Sequence, residues 1–421
     1  MRLGEKVNTT FRAFQNRNYA LFFTGQTVSQ IGTWMQRTAV SWVVYSMTDS
    51  TFMLGLTVFA SQFPSFLLSL YGGIVSDRYD RFKILLITQI ASMVQAIVLA
   101  VLILTNNYNV WLILALSVIL GIINAFDVPA RQPLIHEMVN DPSELSNAIA
   151  LNSSMVNLAK LIGPALSGLI LQQFGAGVCF FINAFSFVAV LVSLLLMKFP
   201  AFKPPTVKKK IFAELTEGFQ YLKRAPQIAM ILLLLGSVSL LVTPYDTLIP
   251  VFAKVIFKGD AATFGYISSF IGLGALAGTL FLASLKSGHD LKKVLLANTF
   301  ILGIALIGFS LTSYFPLTMT FAILAGFGAM AQTTICITII QIDTEASMRG
   351  RVISYVAMSV FGMLPLGSLL IGSISQRIGA PITMLCQGTI ALIIAAVFFN
   401  LIKSEKFNRK DLEQLEEAEA Q

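Results

Sequence analysis

Apolar runs, each long enough to cross a bilayer and separated by short polar turns, fill this chain from end to end. They fall at 19–46, 51–75, 84–105, 110–130, 147–171, 176–197, 228–252, 263–285, 292–312, 316–340, 352–375 and 381–402. A span needs roughly 20 apolar residues, and a backbone in lipid has no water to satisfy its N–H and C=O groups. Each run must therefore be a helix. The predicted fold is an all-α integral membrane protein of twelve transmembrane helices in two pseudo-symmetric bundles of six. Composition agrees: 56% of the 421 residues are apolar and 12% charged, against about 25% charged in soluble domains. Mean hydropathy is +0.77.

A net charge of +8 could suggest nucleic-acid binding, but its distribution excludes that class. With the N-terminus in the cytoplasm and the spans alternating from there, 24 of the 29 Lys and Arg fall on cytoplasmic segments. Three, Lys254, Lys258 and Arg377, fall on outer loops, and Arg37 and Lys160 lie inside spans. This is the positive-inside bias, so both termini are expected in the cytoplasm of a bacterial inner-membrane protein, with the basic residues facing anionic lipid. Cys179, Cys336 and Cys386 sit in apolar runs without metal-ligand spacing, and no metal or cofactor is expected.

The boundaries read from sequence are an N-terminal bundle at 1–197, a linker at 198–226, a C-terminal bundle at 227–402 and a tail at 403–421. The linker starts with a proline-rich stretch that cannot continue a helix and carries Lys208-Lys209-Lys210. It ends in an amphipathic segment, 211–224, suited to the membrane surface. A shift of 204 positions lays Gly163, Gly168, Gly175 and Ala176 on Gly367, Gly372, Gly379 and Ala380, making the eleventh run a repeat of the fifth. A parallel six-plus-six repeat implies alternating access around a mid-membrane site.

Between the second and third runs, residues 73–83 pack five charges into one tight turn. This turn resembles the cytoplasmic signature G-x-L-a-D-R-x-G-R-K of the major facilitator superfamily, with Gly73, Asp77, Arg78 and Arg81 at matching positions and Asp80 in place of the second glycine. Residues 163–168, Gly-Pro-Ala-Leu-Ser-Gly, resemble the G-P-x-x-G-G pattern of exporting antiporters at Gly163, Pro164 and Gly168, with Ser167 for one glycine. Residues 129–132 and 350–352, the latter including Arg351, further resemble the bacterial branch of siderophore and drug exporters. The superfamily's fourth-helix arginine has no match around 112–120. The resemblance implies a cytoplasmic lock. In it Asp77 would face the helix N-terminus at 350–353, and Arg78 or Arg81 would reach Asp127. A solvated turn is the alternative.

Three charges inside spans carry the remaining functional reading. Arg37 and Asp246 fall at similar depth on repeat-related helices. They suit an ion pair closing the outer gate, a proton-coupling site, or two side chains that snorkel or bond locally. Lys160 lies about 20 Å along the fifth helix, near mid-membrane. It is either an anchor for an anionic substrate, a charge that changes partners during the cycle, or a structural lysine. Gln30, Asn124 and Gln332 are candidate cavity residues, as are Gln26, Gln36, Asn152 and Asn157.

The function expected is a monomeric secondary transporter exporting a small organic molecule, drug-like or siderophore, by proton-coupled antiport. Lipid or lysolipid translocation and metabolite uptake are the alternatives on the same fold. An enzyme is not expected: the two histidines, His136 and His289, lie in separate loops. No Gly-Lys-Ser/Thr phosphate loop supports an ATP-driven pump.

Overall fold

The computed structural model describes residues 12–139, 142–198, 211–285 and 290–419. Lys208-Lys209-Lys210 and His289 lie outside them. The described residues are helical almost throughout, with no strand. The first six long helices are α1 (Arg17–Thr48), α2 (Thr51–Arg78), α3 (Arg81–Leu104), α4 (Val110–Met138), α5 (Pro142–Phe174) and α6 (Ala176–Leu196). The short α7 (Ile211–Arg224) follows, then α8 (Pro226–Leu241), α9 (Ala261–Ser284), α10 (Leu291–Leu311) and α11 (Phe315–Asp343). The eleventh run is split into α12 (Arg349–Ala357) and α13 (Met363–Ile378) by a wider π turn at Met358–Gly362, and α14 (Ala380–Glu419) closes the chain.

Among the described residues, eleven helical stretches are long and apolar enough to cross a membrane. α1 is not one of them: it runs for 32 residues but is more polar. Polar residues that punctuate the apolar runs cap the helices they precede. Met53 N donates to Ser50 Oγ (3.3 Å) at α2, and Phe82 N donates to Asp80 Oδ1 (3.0 Å) at α3. Leu112 N donates to Asn109 Oδ1 (2.9 Å) at α4. Asp80, where the signature has glycine, thus starts the next helix.

The chain forms two compact units. One comprises 1–210, 246–272 and 368–380, and the other 211–245, 273–367 and 381–421. The first therefore takes in two stretches that sequence boundaries assign to the C-terminal bundle. The cause is visible in its small residues, which allow helix backbones to approach closely. A Cβ on Gly168 of α5 would lie 2.8 Å from Ala261 O and 3.0 Å from Gly265 Cα of α9. A Cβ on Gly372 of α13 would lie 3.1 Å from Gly55 Cα of α2.

These contacts obey the internal repeat. Gly168 and Gly372 are repeat partners, and each seats its helix on a glycine-bearing neighbour. Gly175 and Gly379, also partners, share a left-handed backbone, φ +81° and +84°, that glycine adopts without strain. In the second unit Gly367 packs against Pro244 at the end of α8, as its partner Gly163 packs against α1 in the first. The second unit also holds an apolar crevice of about 410 Å³ lined by Phe281, Lys293, Val294, Ala297, Asn298, Ile301 and Phe327.

The glycine seams give a direct contrast. Gly168→Val forces backbone apart and is expected to cost about 1–3 kcal/mol, read as a lower Tm in detergent. Gly73→Ala should leave Tm unchanged, because no atom lies within 4 Å of the added carbon. Equal losses from both substitutions would refute this account of the seams.

Candidate functional site

The crossing of α1 and α5 builds the site. A Cβ on Gly163 would lie 2.5 Å from Trp34 Cβ and 3.1 Å from Ile31 O, so only glycine lets α5 lie this close to α1. One turn later Ser167 Oγ donates to Met35 O at 3.0 Å, which gives the serine at a motif-glycine position a bond of its own. On the opposite side, Gly272 of α9 sits on the Lys160 carbonyl, 2.8 Å from where a Cβ would stand.

With the crossing fixed, Lys160 and Arg37 converge on one indole. Arg37 Cζ is 4.7 Å and Lys160 Nζ 5.8 Å from the Trp34 ring centroid, within cation–π range. Asp246 acts electrostatically on both cations. The continuous helix of α8 ends at Leu241, and Thr243–Leu248 is wound as a tighter 3₁₀ stretch after Pro244. The backbone N–H groups of Asp246 and Thr247 favour the charged Asp246 carboxylate. Arg37 and Asp246 are exposed and Lys160 half-buried; Lys160 and Asp246 lie within stretches apolar enough to cross a membrane, and Arg37 on the more polar α1. The expected contact ion pair between Arg37 and Asp246 is absent: Arg37 rests on Trp34, and the three charges interact through space.

A second polar set in this unit ties the α1–α2 connection to the stretch around Lys254 and to α13. Lys254 Nζ bonds Asp49 Oδ1 at 2.7 Å. Gln376 Oε1 accepts from Thr51 N (2.9 Å) and Ser50 Oγ (3.0 Å), and Thr51 Oγ1 donates to Gly372 O (2.9 Å). Trp42 stacks on Phe264 with ring centroids 6.0 Å apart. Asp49, Lys254, Gln376 and Trp34 were not singled out by sequence as site residues.

The charged turn is arranged differently from the expected lock. Arg81 bonds Glu137 Oε1 (2.6 Å), Asp77 Oδ1 (3.5 Å) and Ser76 O (3.3 Å), not Asp127. Asp127 is 2% exposed and is already saturated. Arg131, one turn along α4, pairs with it, and Thr88 Oγ1 (2.9 Å) and Gln89 Nε2 (2.7 Å) donate to its Oδ1. Arg78 is exposed. Gly73 has open space around it, whereas its neighbour Gly72 is pressed against the Ala125 backbone.

The remaining candidates scatter. Gln30, Asn124 and Asn152 are half-buried. Gln36 is tied to Gln95 (3.1 Å) and Asn183 (2.7 Å), knitting α1 to α3 and α6 rather than facing a cavity. Asn157 bonds Ser153 O within its own helix. In the second unit Gln332 is 1% exposed with neither amide atom hydrogen-bonded, and Arg351 pairs with Glu217 of α7 at 2.6 Å. Among the described residues no cluster of His, Cys, Asp and Glu is arranged to hold a metal ion.

A family model described as a transmembrane secretion effector matches residues 8–421. The staphyloferrin A transporter of Staphylococcus aureus is 26% identical over 94% of this chain and 98% of its own length. The enterobactin exporter EntS of Escherichia coli is 26% identical over 95% and 93%. The macrolide efflux protein A of Streptococcus pyogenes is 22% identical over 89% and 93%. Among solved structures, the nucleoside transporter NupG superposes with a TM-score of 0.74 at 12% identity, covering 91% of this chain and 99% of that one. A bacterial homologue of the human lysosomal transporter Spinster, inward-facing and unoccupied, gives 0.70 at 15% identity over 91% and 96%.

The Asp127 cluster yields a stability prediction. Asp127→Ala strands Arg131 beside buried polar groups and is expected to cost about 3–5 kcal/mol, read as loss of folded protein in detergent. Asp127→Leu with Arg131→Met removes both charges and should recover most of that loss. A double variant no better than Asp127→Ala alone would show that the pair is not what Asp127 contributes.

Proposed function

Because the chain belongs to the transmembrane secretion effector family of the major facilitator superfamily, we propose that it exports a small organic molecule by alternating access. The cargo is drug-like or siderophore-like, as the names of its relatives suggest. One observation carries the reading: Arg37 and Lys160 meet over Trp34 within the helices and Asp246 acts on both, so charges of both signs gather in a largely apolar protein. A charge in a membrane span is costly unless it reaches water or a partner, and such residues mark transport paths. Asp246 sits where the α-helix gives way to a tighter 3₁₀ stretch, and transporters use such interrupted helices to line the substrate site.

In this reading twelve spans in two six-helix bundles cross the bacterial inner membrane with both termini in the cytoplasm, and the chain works as a monomer. The end carrying Asp49–Lys254 and Gln376–Thr51 is the outer end, and these bonds close it. Arg37 and Asp246 sense the state of that gate: the attraction between them holds it shut, and losing that attraction frees it. The turn holding Gly73, Asp77, Arg78 and Arg81 is a cytoplasmic latch, with Arg351 supporting the inner end of its own unit through Glu217. Gln30, Asn124 and Gln332 contribute polar groups to the path. Proton entry supplies the energy, as the antiporter-like residues Gly163, Pro164 and Gly168 suggest.

Cells with and without the protein should differ in one compound, enriched in the medium and depleted inside, by untargeted mass spectrometry. Asp77→Asn should reduce the difference. A changed membrane lipid profile with an unchanged medium would replace export by lipid translocation, and accumulation inside by uptake. Nigericin, which collapses the pH gradient, should abolish export, and export that survives it excludes proton antiport.

The gate reading predicts non-additivity. Asp246→Asn and Arg37→Gln should each slow export, and the double variant should be less impaired than their combined effects require. Fully additive losses would remove the coupling between them.

A further inference from the structure

We infer that Arg37, Lys160 and Trp34 form a subsite for a carboxylate carried by the exported molecule, with Asp246 as its internal competitor. The inference rests on the export reading and names the chemistry of its cargo. Two cations, Arg37 and Lys160, lie over the ring of one indole, while the single carboxylate that acts on them is Asp246. With all three ionised the cluster keeps one uncompensated positive charge. Arg37 and Asp246 are exposed, and Lys160 and Asp246 lie in stretches that are otherwise apolar.

Such a site is short of one negative charge. The guanidinium fork of Arg37 matches a planar carboxylate with two parallel N–H donors, and the Lys160 ammonium adds a point charge beside it. Trp34 serves both states. Without cargo its ring holds the cations by cation–π attraction, at 4.7 and 5.8 Å. With cargo its face is available to an apolar or aromatic part of the molecule.

The position of Lys160 is imposed from both sides. Gly163 lets α5 rest against Trp34, and Gly272 packs on the Lys160 backbone itself. Asp246 sits in its own 3₁₀ segment, whose N–H groups favour its charge, and makes no contact ion pair with either cation. Cargo can therefore take the cations without first breaking a tight salt bridge. Because cargo and Asp246 draw on the same two cations, carboxylate binding weakens their hold on Asp246. Recognition and opening of the proposed gate are then one electrostatic event.

The test uses the full chain in lipid nanodiscs with Trp42 and Trp111 replaced by Phe, so that Trp34 alone reports. Benzene-1,3,5-tricarboxylate is titrated against Trp34 fluorescence, with the neutral benzene-1,3,5-tricarboxamide as control. Saturable quenching by the triacid and none by the triamide is expected. Lys160→Met and Arg37→Met should each weaken triacid binding by about tenfold or more, Lys160→Arg should retain it, and Asp246→Asn should tighten it by removing the competitor. Tm of each variant separates lost binding from lost folding. Equal binding of triacid and triamide, or undiminished binding by a folded Lys160→Met, would overturn the inference. Triacid binding without any export from cells would leave the subsite standing and remove the export reading. Export of a compound that has no acidic group, with no triacid binding, would do the reverse.

Discussion

The close crossing of α1 and α5 is the contact on which the rest of the site depends. It exists because position 163 has no side chain and because Ser167 bonds the Met35 carbonyl. Any larger residue at 163 would push α5 away from Trp34, and with it Lys160, which lies one turn earlier. The same helix uses Gly168, one and a half turns on, to seat α9. The antiporter-like run thus works as a two-sided seam, with one face setting the charge cluster and the other joining the stretch 246–272 to the first six helices.

Much of the fold was legible because the bilayer leaves a chain few options. Length and apolarity alone locate the helices, and polar residues such as Asn109 and Asp80 act as the caps their positions predict. The repeat was legible too, since glycines needed for close packing or for positive φ cannot be exchanged freely. Gly175 and Gly379 illustrate the second case. The interruption of the eighth helix near Pro244 follows from the missing N–H of proline.

The site was legible only in part, for tertiary reasons. Arg37, Lys160 and Asp246 stand out as charges in apolar runs. Which of them meet depends on helix rotation at a crossing, and rotation is not written in spacing. Trp34 looked like one more bulky apolar residue until the two cations were found on its ring. Asp127 was assigned to the arginines of the charged turn by resemblance, whereas Arg131 lies on the same helix face one turn away and reaches it without any tertiary movement. Asp49 and Lys254 lie 205 positions apart at helix ends, where a single charge carries no signal of its own.

The proposed alternating access at this charge cluster would require the Asp49–Lys254 end to part and re-form. The most direct measurement is an electron–electron distance between spin labels at exposed positions Met47 and Lys258, on a background lacking Cys179, Cys336 and Cys386. Two distance populations are predicted, with Asp246→Asn shifting weight to the longer one. A single short distance in wild type and variant, in a preparation that still transports, would contradict the account.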